Sequence, residues 1–301
     1  MQNIGKNMKK IRNVFSCFDG ISAVQQALIK SGFDYDNYYS SEIDKDAIKV
    51  TQLSFPNTIQ LGDIRNLNGN DLKNIDLFAA GSPCTDFSIM GKKKGMVTTD
   101  YIIINSLEHY LSLKNSGMEF VGESYLFWEA LRLKKSINPK YFLFENVVMS
   151  DFWKDLISKE LEVDPIRINS SLVSAQNRDR YYWTNIPNIS IPEDKGIYLS
   201  DIIPGAIAAG KRGVYSKSEG KYIYPLKLRK DGKANCLVTS PSTTNCYVDS
   251  DGNYKMITPE VAEILQTMPV GYTNVLPTYK RYKALGNSMT VDVIRHIISH
   301  I

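Results

Sequence analysis

The stretch FAAGSPCTDFSIMG, residues 78–91, begins as a short apolar run and ends in small and polar residues. Such a run is typical of a buried strand, and Pro83 restrains the backbone just before Cys84. In sheets of parallel strands, ligands bind beyond the carboxyl ends of the strands. A cysteine at that position can act as a nucleophile, although a lone cysteine is more often a small core residue. The segments around the stretch decide between these alternatives.

Strand-like and helix-like segments alternate on both sides of this stretch. Strands are expected at RNVFSCF, NYYSSEI, TIQLGDI, IDLFAAG, KYFLFENV, DPIRINSSLVSA and RYYWTNI. Amphipathic segments such as GISAVQQALIKSG, and DKDAIKVTQLSF with Asp44 as its N-cap, predict helices between them. Strands separated by helices indicate βαβ units, so the sequence predicts an α/β fold with a mostly parallel, seven-stranded sheet.

The pattern changes after Ile186, where proline, glycine, serine and lysine interrupt short apolar pieces. We expect a small, irregular, β-rich module at residues 187–254, with residues 1–186 and 255–301 forming the larger domain. Between Gly205 and Asn235, eight basic and two acidic residues give a local net charge of +6, more than the +4 of the whole chain. This predicts contact with a polyanion, although a charge run alone is usually a solvated surface.

Composition argues against several classes of protein. No apolar run reaches the length of a membrane-spanning helix, and the polar start MQNIGKNMKK lacks the apolar core of a signal peptide. We therefore expect a cytoplasmic protein that binds no membrane. The four cysteines form no CxxC pair, which argues against a disulfide framework. The three histidines do not combine with cysteine at zinc-ligand spacing, so no metal site is expected.

Polar residues follow the predicted strands. A glycine after the first strand, Gly20, lets a cofactor approach the backbone. Glu42 ends the second strand, where an acidic residue typically accepts hydrogen bonds from ribose hydroxyls. Asp63 follows the third strand and could accept from an exocyclic amine, although a turn residue is the simpler interpretation. Glu145 follows a hydrophobic run, and a carboxyl group in such a place suits proton donation.

Two further features stand out along the chain. Arg178 and Arg180 are spaced i and i+2, which places both on one face of a strand, where they could hold an anion or a polarised carbonyl oxygen. The connection at residues 96–121 is long for a link between a strand and a helix. Its length indicates a functional loop or a short inserted helix in YIIINSLEHYLSL.

The order of these motifs resembles that of the DNA (cytosine-5)-methyltransferase family, of the bacterial and phage type. The similar segments span nearly the whole chain: FSCFDGIS, SEIDKDA, GDI, GSPCTDFS, FENV, QNRDR, AEILQTMPVGYT and LGNSMTVDVI. PCTDFS resembles the animal de novo branch, because Thr85 stands where the family usually has glutamine. Ser22 and Ala23 replace the usual double glycine, but Gly20 is retained. The resemblance implies a Rossmann-like class I methyltransferase fold that uses S-adenosyl-L-methionine.

The resemblance also implies a reaction. The methyl group would move to C5 of a flipped-out cytosine in duplex DNA, leaving S-adenosyl-L-homocysteine. Cys84 would add to C6 as a thiolate, Glu145 would hold or protonate N3, and Arg178 and Arg180 would contact the base carbonyl and favour the thiolate. Asn146, with Pro83, would shape the loop around Cys84.

The same resemblance supplies candidate binding residues. The implied cofactor contacts are Phe18, Asp19, Gly20, Ile21, Glu42, Ile43, Asp63, Ile64, Gly81, Asn287 and Ser288. The implied DNA contacts are Ser88, Lys92, Lys93, Lys94, Arg212, Lys227 and Arg229. Residues 187–254 would form the target-recognition module, in which Cys236 and Cys246 are expected to be structural.

Two other functions stay open. A tRNA cytosine-5 methyltransferase belongs to the same family, but the Cys-Phe-Thr tripeptide of that branch is absent, which favours DNA. A catalytically silent DNA-binding protein is the other, and the intact Cys84, Glu145 and Arg180 argue against it. We expect a protein of the bacterial cytosol, associated with the nucleoid. A monomer, a phage or solitary enzyme, and a partner of a cognate restriction endonuclease are all compatible with the sequence.

Overall fold

The structure is a computed structural model that describes residues 9–84, 87, 95–211, 213–216, 218–240 and 245–301. The described strands are β1 (Lys9–Cys17), β2 (Phe33–Ser41), β3 (Ile59–Gln60), β4 (Ile75–Gly81), β5 (Tyr141–Val147), β6 (Ile166–Asn169), β7 (Asp179–Thr184), β8 (Ile207–Lys211), β9 (Val214–Ser216), β10 (Lys221–Ile223), β11 (Leu226–Leu228), β12 (Cys246–Val248) and β13 (Tyr254–Met256). The described helices are α1 (Ala23–Lys30), α2 (Lys45–Ser54), α3 (Leu107–Asn115), α4 (Leu126–Ile137), α5 (Asp151–Leu161), α6 (Leu199–Ile202), α7 (Pro259–Leu265), α8 (Thr278–Asn287) and α9 (Val291–Ile298).

The first seven strands form one sheet, in the order β3-β2-β1-β4-β5-β7-β6. Strand β7 runs antiparallel to both of its neighbours, whereas the β1–β2, β1–β4, β2–β3 and β4–β5 pairs are parallel. The prediction of a mostly parallel, seven-stranded sheet is therefore confirmed. The strand order reverses between β1 and β4, and ligands of such sheets bind at the carboxyl ends of the strands at this point.

Apolar side chains cover both faces of this sheet. Along β4, Leu77 and Ala79 belong to one buried cluster, while Phe78 and Ala80 belong to the other. This alternation follows from the two-residue period of a strand. Helices α1, α2, α7, α8 and α9 contribute to the first cluster, and α3, α4 and α5 to the second. The result is a three-layer arrangement in which the sheet is the central layer.

Helix boundaries follow local capping. The Asp44 side chain accepts hydrogen bonds from the backbone N–H of Asp46 (2.9 Å) and Ala47 (3.4 Å), so it caps α2 as predicted. The long connection at residues 96–121 holds α3, whose N-cap Ser106 accepts from His109 N. The helix begins at Leu107, later than the predicted segment starts, because the chain between Thr98 and Ile104 first folds back on itself.

The inserted helix α3 is attached through a buried carboxylate. Glu129 of α4 is fully buried and accepts from Tyr110 and Lys114 of α3 and from Arg132 of its own helix. Arg132 also donates to the carbonyl oxygens of Ile64 (3.3 Å) and Leu67 (3.0 Å). The insertion is therefore linked to the loop that follows β3.

A second, smaller sheet lies late in the chain. It is antiparallel, with the order β11-β8-β12-β13, and β9 and β10 pair separately as a hairpin. This agrees with the prediction of a small β-rich module, although β13 runs to Met256 and the boundaries of the module stay predictions.

Among the described helices, none is long and apolar enough to cross a membrane. The described residues also contain no cluster of histidine, cysteine and acidic side chains suited to a metal ion.

Candidate active site

A pocket opens where the carboxyl ends of β1, β4 and β5 meet. Gly81, the last residue of β4, pairs with Glu145 of β5. Six predicted cofactor residues line the pocket together with Glu145: Phe18, Asp19, Gly20, Gly81, Asn287 and Ser288. The sheet therefore brings together residues that lie up to 270 positions apart in the sequence.

The turn after β1 is held by Glu42. Phe18, Gly20 and Ser22 all have left-handed backbone conformations, with φ of 55°, 57° and 61°. Glu42 Oε2 accepts from Gly20 N (2.8 Å), and Oε1 accepts from the backbone N–H of Ile43 and Asp44 (2.8 Å each). A carboxylate oxygen has two lone pairs, so Oε2 retains one acceptor position beside the pocket.

Asp19 places a buried carboxyl group in the pocket wall. The residue is 8% exposed, and its two oxygens accept from Tyr38 Oη (2.7 Å) and Ser22 Oγ (2.8 Å). Burial raises the pKa of Asp19 from 3.8 to about 6, against the opposing effect of these hydrogen bonds. The Asp19 side chain is therefore mostly neutral below about pH 6 and negatively charged above it.

Four other predicted cofactor residues are placed differently. The side chains of Ile21 (1% exposed) and Ile64 (4%) pack into the two apolar clusters, because they point into the layers on either side of the sheet. Asp63 caps a short 3-10 helix and binds Arg65 Nε through both oxygens (3.0 Å each), as a turn residue would. Ile43 is 65% exposed at the tip of the second strand. None of these four lines the pocket described above.

Arg180 and Glu145 form a buried ion pair next to the pocket. Arg180 Nε lies 3.0 Å from Glu145 Oε1, and the two side chains are 13% and 11% exposed. The direction of the N–H bond does not satisfy this oxygen, so Oε1 is buried without a hydrogen bond from any described residue. Buried acceptors are normally satisfied, and an orphaned one at a pocket indicates a position for a ligand donor.

Cys84 stands at the end of a short segment that Asn146 holds. Asn146 Nδ2 donates to Ser82 O (3.3 Å) and Ser82 Oγ (3.0 Å), two residues before the cysteine. Burial raises the pKa of Cys84, and the Glu145 charge raises it further. Arg180 and Arg178 oppose this rise, in the predicted direction, but they are outweighed. The resting site therefore favours the thiol over the thiolate.

Arg178 connects three segments of the chain. Its guanidinium donates to the carbonyl oxygens of Ser288 (2.8 Å), Gly286 (3.2 Å) and Leu237 (3.5 Å). Arg178 and Arg180 also both reach Cys236 Sγ, at 3.4 Å and 3.8 Å. The predicted convergence of the two arginines is thus present, but it occurs on a cysteine, and Arg178 contacts backbone rather than an open anion site.

The predicted DNA contacts are only partly described. Ser88, Lys92, Lys93, Lys94 and Arg212 lie outside the described residues. Lys227 is exposed on β11, the edge strand of the small sheet. The Arg229 side chain already has nearby partners, because it binds Asp231 and donates to Asn235 Oδ1 (2.7 Å). Of the described candidates, Lys227 is the more available to a partner.

Sequence reasoning missed several residues of the site. Ser16, Ala23, Val24 and Met289 also line the pocket. All of them lie inside or directly beside motif segments already recognised, so reading those segments in full would have found them. The contacts of Cys236 carried no such signal, because Arg178 and Arg180 come from a distant part of the chain.

Comparison with known proteins finds relatives of this chain. A family model described as C-5 cytosine-specific DNA methylase matches residues 12–188. Type II methyltransferase M.Bsp6I of Bacillus sp. (strain RFL6) is 24% identical, over 96% of this chain and 98% of that protein. Orphan methyltransferase M.SPBetaI of Bacillus phage SPbeta is 31% identical, over 60% of this chain and 45% of that protein. The structure of Entamoeba histolytica methyltransferase EhMeth shares the fold, with a TM-score of 0.65 at 16% identity over 97% of this chain and 98% of that one. The chain belongs to the C-5 cytosine-specific DNA methyltransferase family.

Proposed function

We propose that this protein transfers a methyl group from S-adenosyl-L-methionine to C5 of a flipped-out cytosine in duplex DNA, through a bond between Cys84 and C6. The observation that carries this proposal is the orphaned Glu145 Oε1, which is buried beside Arg180 and at the pocket that Phe18, Asp19 and Asn287 line. A cytosine ring can supply the missing donor through its exocyclic amino group.

The residues that line the pocket have side chains suited to S-adenosyl-L-methionine, on which this family depends. Phe18 offers an aromatic ring, Asn287 an amide, and Asp19 a carboxyl group, while Glu42 retains one acceptor position nearby. An aromatic surface suits adenine, and carboxylates suit ribose hydroxyls and positive charge. When bound, the cofactor would supply a methyl group attached to a positively charged sulfur. Phe18, Asp19, Gly20, Gly81, Asn287 and Ser288 would hold it, with Glu42 and Ile43 at its nucleoside end.

The protein side chains would make C5 reactive. Cys84 Sγ would lose its proton to water and form a bond to C6, which breaks the aromaticity of the ring. Glu145 would donate a proton to N3, so that negative charge does not accumulate there, and Arg180 would contact the base carbonyl. The C5 carbon would then accept the methyl group. Loss of the C5 proton to water, return of the N3 proton to Glu145 and cleavage of the Sγ–C6 bond would restore the aromatic ring and free Cys84.

Such chemistry requires a base outside the duplex. We propose residues 187–254 as the module that recognises the DNA around it, with Lys227 among its contacts. The basic stretch between Gly205 and Asn235 suits a polyanion, because lysine and arginine neutralise phosphates. Residues 1–186 and 255–301 would form the catalytic domain, in which α8 and α9 complete the cofactor pocket.

The test is methyl transfer from labelled S-adenosyl-L-methionine to duplex DNA and, separately, to tRNA. Wild-type protein should label DNA, and Cys84→Ser should not, while Cys246→Ala, which removes another buried thiol, should retain activity. Base-resolution mapping of the labelled DNA would identify the target sequence. Label in tRNA alone would assign the protein to the RNA branch of the family. Binding of DNA without any label would indicate a silent DNA-binding protein.

A further inference from the structure

Cys236 lies between the two arginines that follow the sixth strand. Its sulfur is 3.4 Å from Arg178 Nη1 and 3.8 Å from Arg180 Nη2. The backbone fixes this position, because Ala234 N donates to Ala175 O (2.7 Å) and Leu237 N donates to Gln176 Oε1 (2.9 Å). These bonds hold the backbone on both sides of Cys236.

Without a negative charge on Cys236, positive charge exceeds negative charge around its sulfur. Arg178 is 4% exposed, its described partners besides the sulfur are backbone carbonyl groups, and its Nε has no partner among the described residues. Arg180 shares Glu145 with the active site, and the nearby Asp179 is bound to Arg167. Of these two buried arginines, only Arg180 has a carboxylate partner among the described residues. Burial of an unpaired charge is unfavourable, and among the described residues Cys236 is an ionisable group within hydrogen-bonding distance of both arginines.

The ionisation of the cysteine is consistent with this arrangement. Burial raises the pKa of Cys236, but the charges of Arg178 and Arg180 outweigh burial and bring the pKa below its ordinary value. The opposite holds for Cys246 in the same module, where burial raises the pKa. The two cysteines, both expected to be structural, are therefore electrostatically different.

We propose that Cys236 is a positioning residue of the active site, whose sulfur serves as thiolate counter-ion to Arg178 and Arg180 and sets the direction of the Arg180 guanidinium. The Arg180 guanidinium lies among Glu145 Oε1 (3.0 Å), the Asp179 carbonyl oxygen (2.8 Å) and Cys236 Sγ (3.8 Å), and it does not turn fully toward Glu145. Glu145 Oε1 consequently keeps its capacity to accept a hydrogen bond from the base. This inference rests on the proposed function, because it assigns Arg180 and Glu145 their roles in methyl transfer.

Kinetics of three variants test the positioning role. Cys236→Ala should lower kcat about tenfold, the lower range for a lost hydrogen bond to a charged group, and leave the KM for S-adenosyl-L-methionine within about twofold. Cys236→Ser should recover part of kcat, because its hydroxyl accepts from Arg180 without carrying charge. Cys246→Ala is the matched control and should behave as wild type. Equal kinetics for Cys236→Ala and Cys246→Ala would overturn the proposal.

A titration tests the thiolate without any catalysis. The ultraviolet absorbance of thiolate, measured as the difference between wild type and Cys236→Ser over a pH series, should show a midpoint below the ordinary cysteine pKa of about 8.5. A midpoint at or above that value would contradict the counter-ion role. If wild-type protein transferred no methyl group, the proposed function would fail, while the titration would still decide whether Cys236 pairs with the arginines.

Discussion

At the scale of single residues, the ionisation of Asp19 makes the free energy of unfolding depend on pH. Its pKa rises from 3.8 to about 6 on folding, mainly through burial. The folded state therefore binds this proton more tightly, and the resulting stability is fully present below about pH 4 and lost as the pH rises through about 6. Asp19→Asn removes this dependence. We expect the free energy of unfolding of wild type, relative to Asp19→Asn, to increase by at most about 3 kcal/mol between about pH 7 and pH 4.

Urea unfolding of both proteins over a pH series measures this difference. Asp34→Asn is the matched control, since it removes an exposed carboxyl group from β2 and should run parallel to wild type. Unfolding curves for Asp19→Asn that also stay parallel to wild type at every pH would show that Asp19 ionises normally. The motif FSCFDGIS indicated the position of Asp19, but not its protonation, because Tyr38 and Ser22 bury it only in the folded chain.

At the scale of elements, the end of α8 depends on one glycine. A Cβ at Gly286 would lie 2.5 Å from the backbone C and O of Val238 and 2.7 Å from Thr239 N. Since backbone cannot rotate away, Gly286→Ala should displace α8 from this segment, together with Asn287 and Ser288 in the pocket. We expect a loss of about 1–3 kcal/mol in the free energy of unfolding, measured by urea unfolding, and weaker cofactor binding, measured by calorimetry.

Gly81→Ala provides the comparison. Its Cβ would meet the terminal methyl of Met289 at 2.6 Å, and a methionine side chain adapts readily. The two variants therefore add the same methyl group against a rigid and a flexible neighbour. If Gly81→Ala lost as much stability as Gly286→Ala, close backbone contact at α8 would not be the cause.

Some strands and contacts could be predicted from the sequence and others could not. Strands β4 and β5 were predictable because each contains an apolar run that ends in small or polar residues, whereas β1 has only a short apolar part around Val14 and Phe15. Strand β3 keeps only Ile59–Gln60 of its predicted segment, since the chain turns at Gly62, where φ is 75°. The pocket was predictable because the carboxyl ends of parallel strands meet at one edge. The contacts of Arg178 could not be predicted, because Cys236 and Gly286 follow it in the sequence by 58 and 108 residues.

At the scale of the whole molecule, positive charge is expected to guide DNA to one end of the sheet. Lys227 and Lys230 are exposed in the small β module. Lys73 and Lys140 are also exposed, but they directly precede β4 and β5, at the amino ends of the strands and away from the pocket. The two pairs therefore differ in location but not in charge, which allows the position of the DNA to be tested.

The double variant Lys227→Ala/Lys230→Ala should bind duplex DNA more weakly than wild type. The slope of log K against log salt concentration should fall by about two, because each lost phosphate contact removes about 0.9. Lys73→Ala/Lys140→Ala should keep the wild-type slope, since those lysines face away from the proposed DNA path. Fluorescence anisotropy with one labelled duplex over a salt series measures both. Equal losses for the two pairs would mean that net charge, and not the module, draws DNA to the protein.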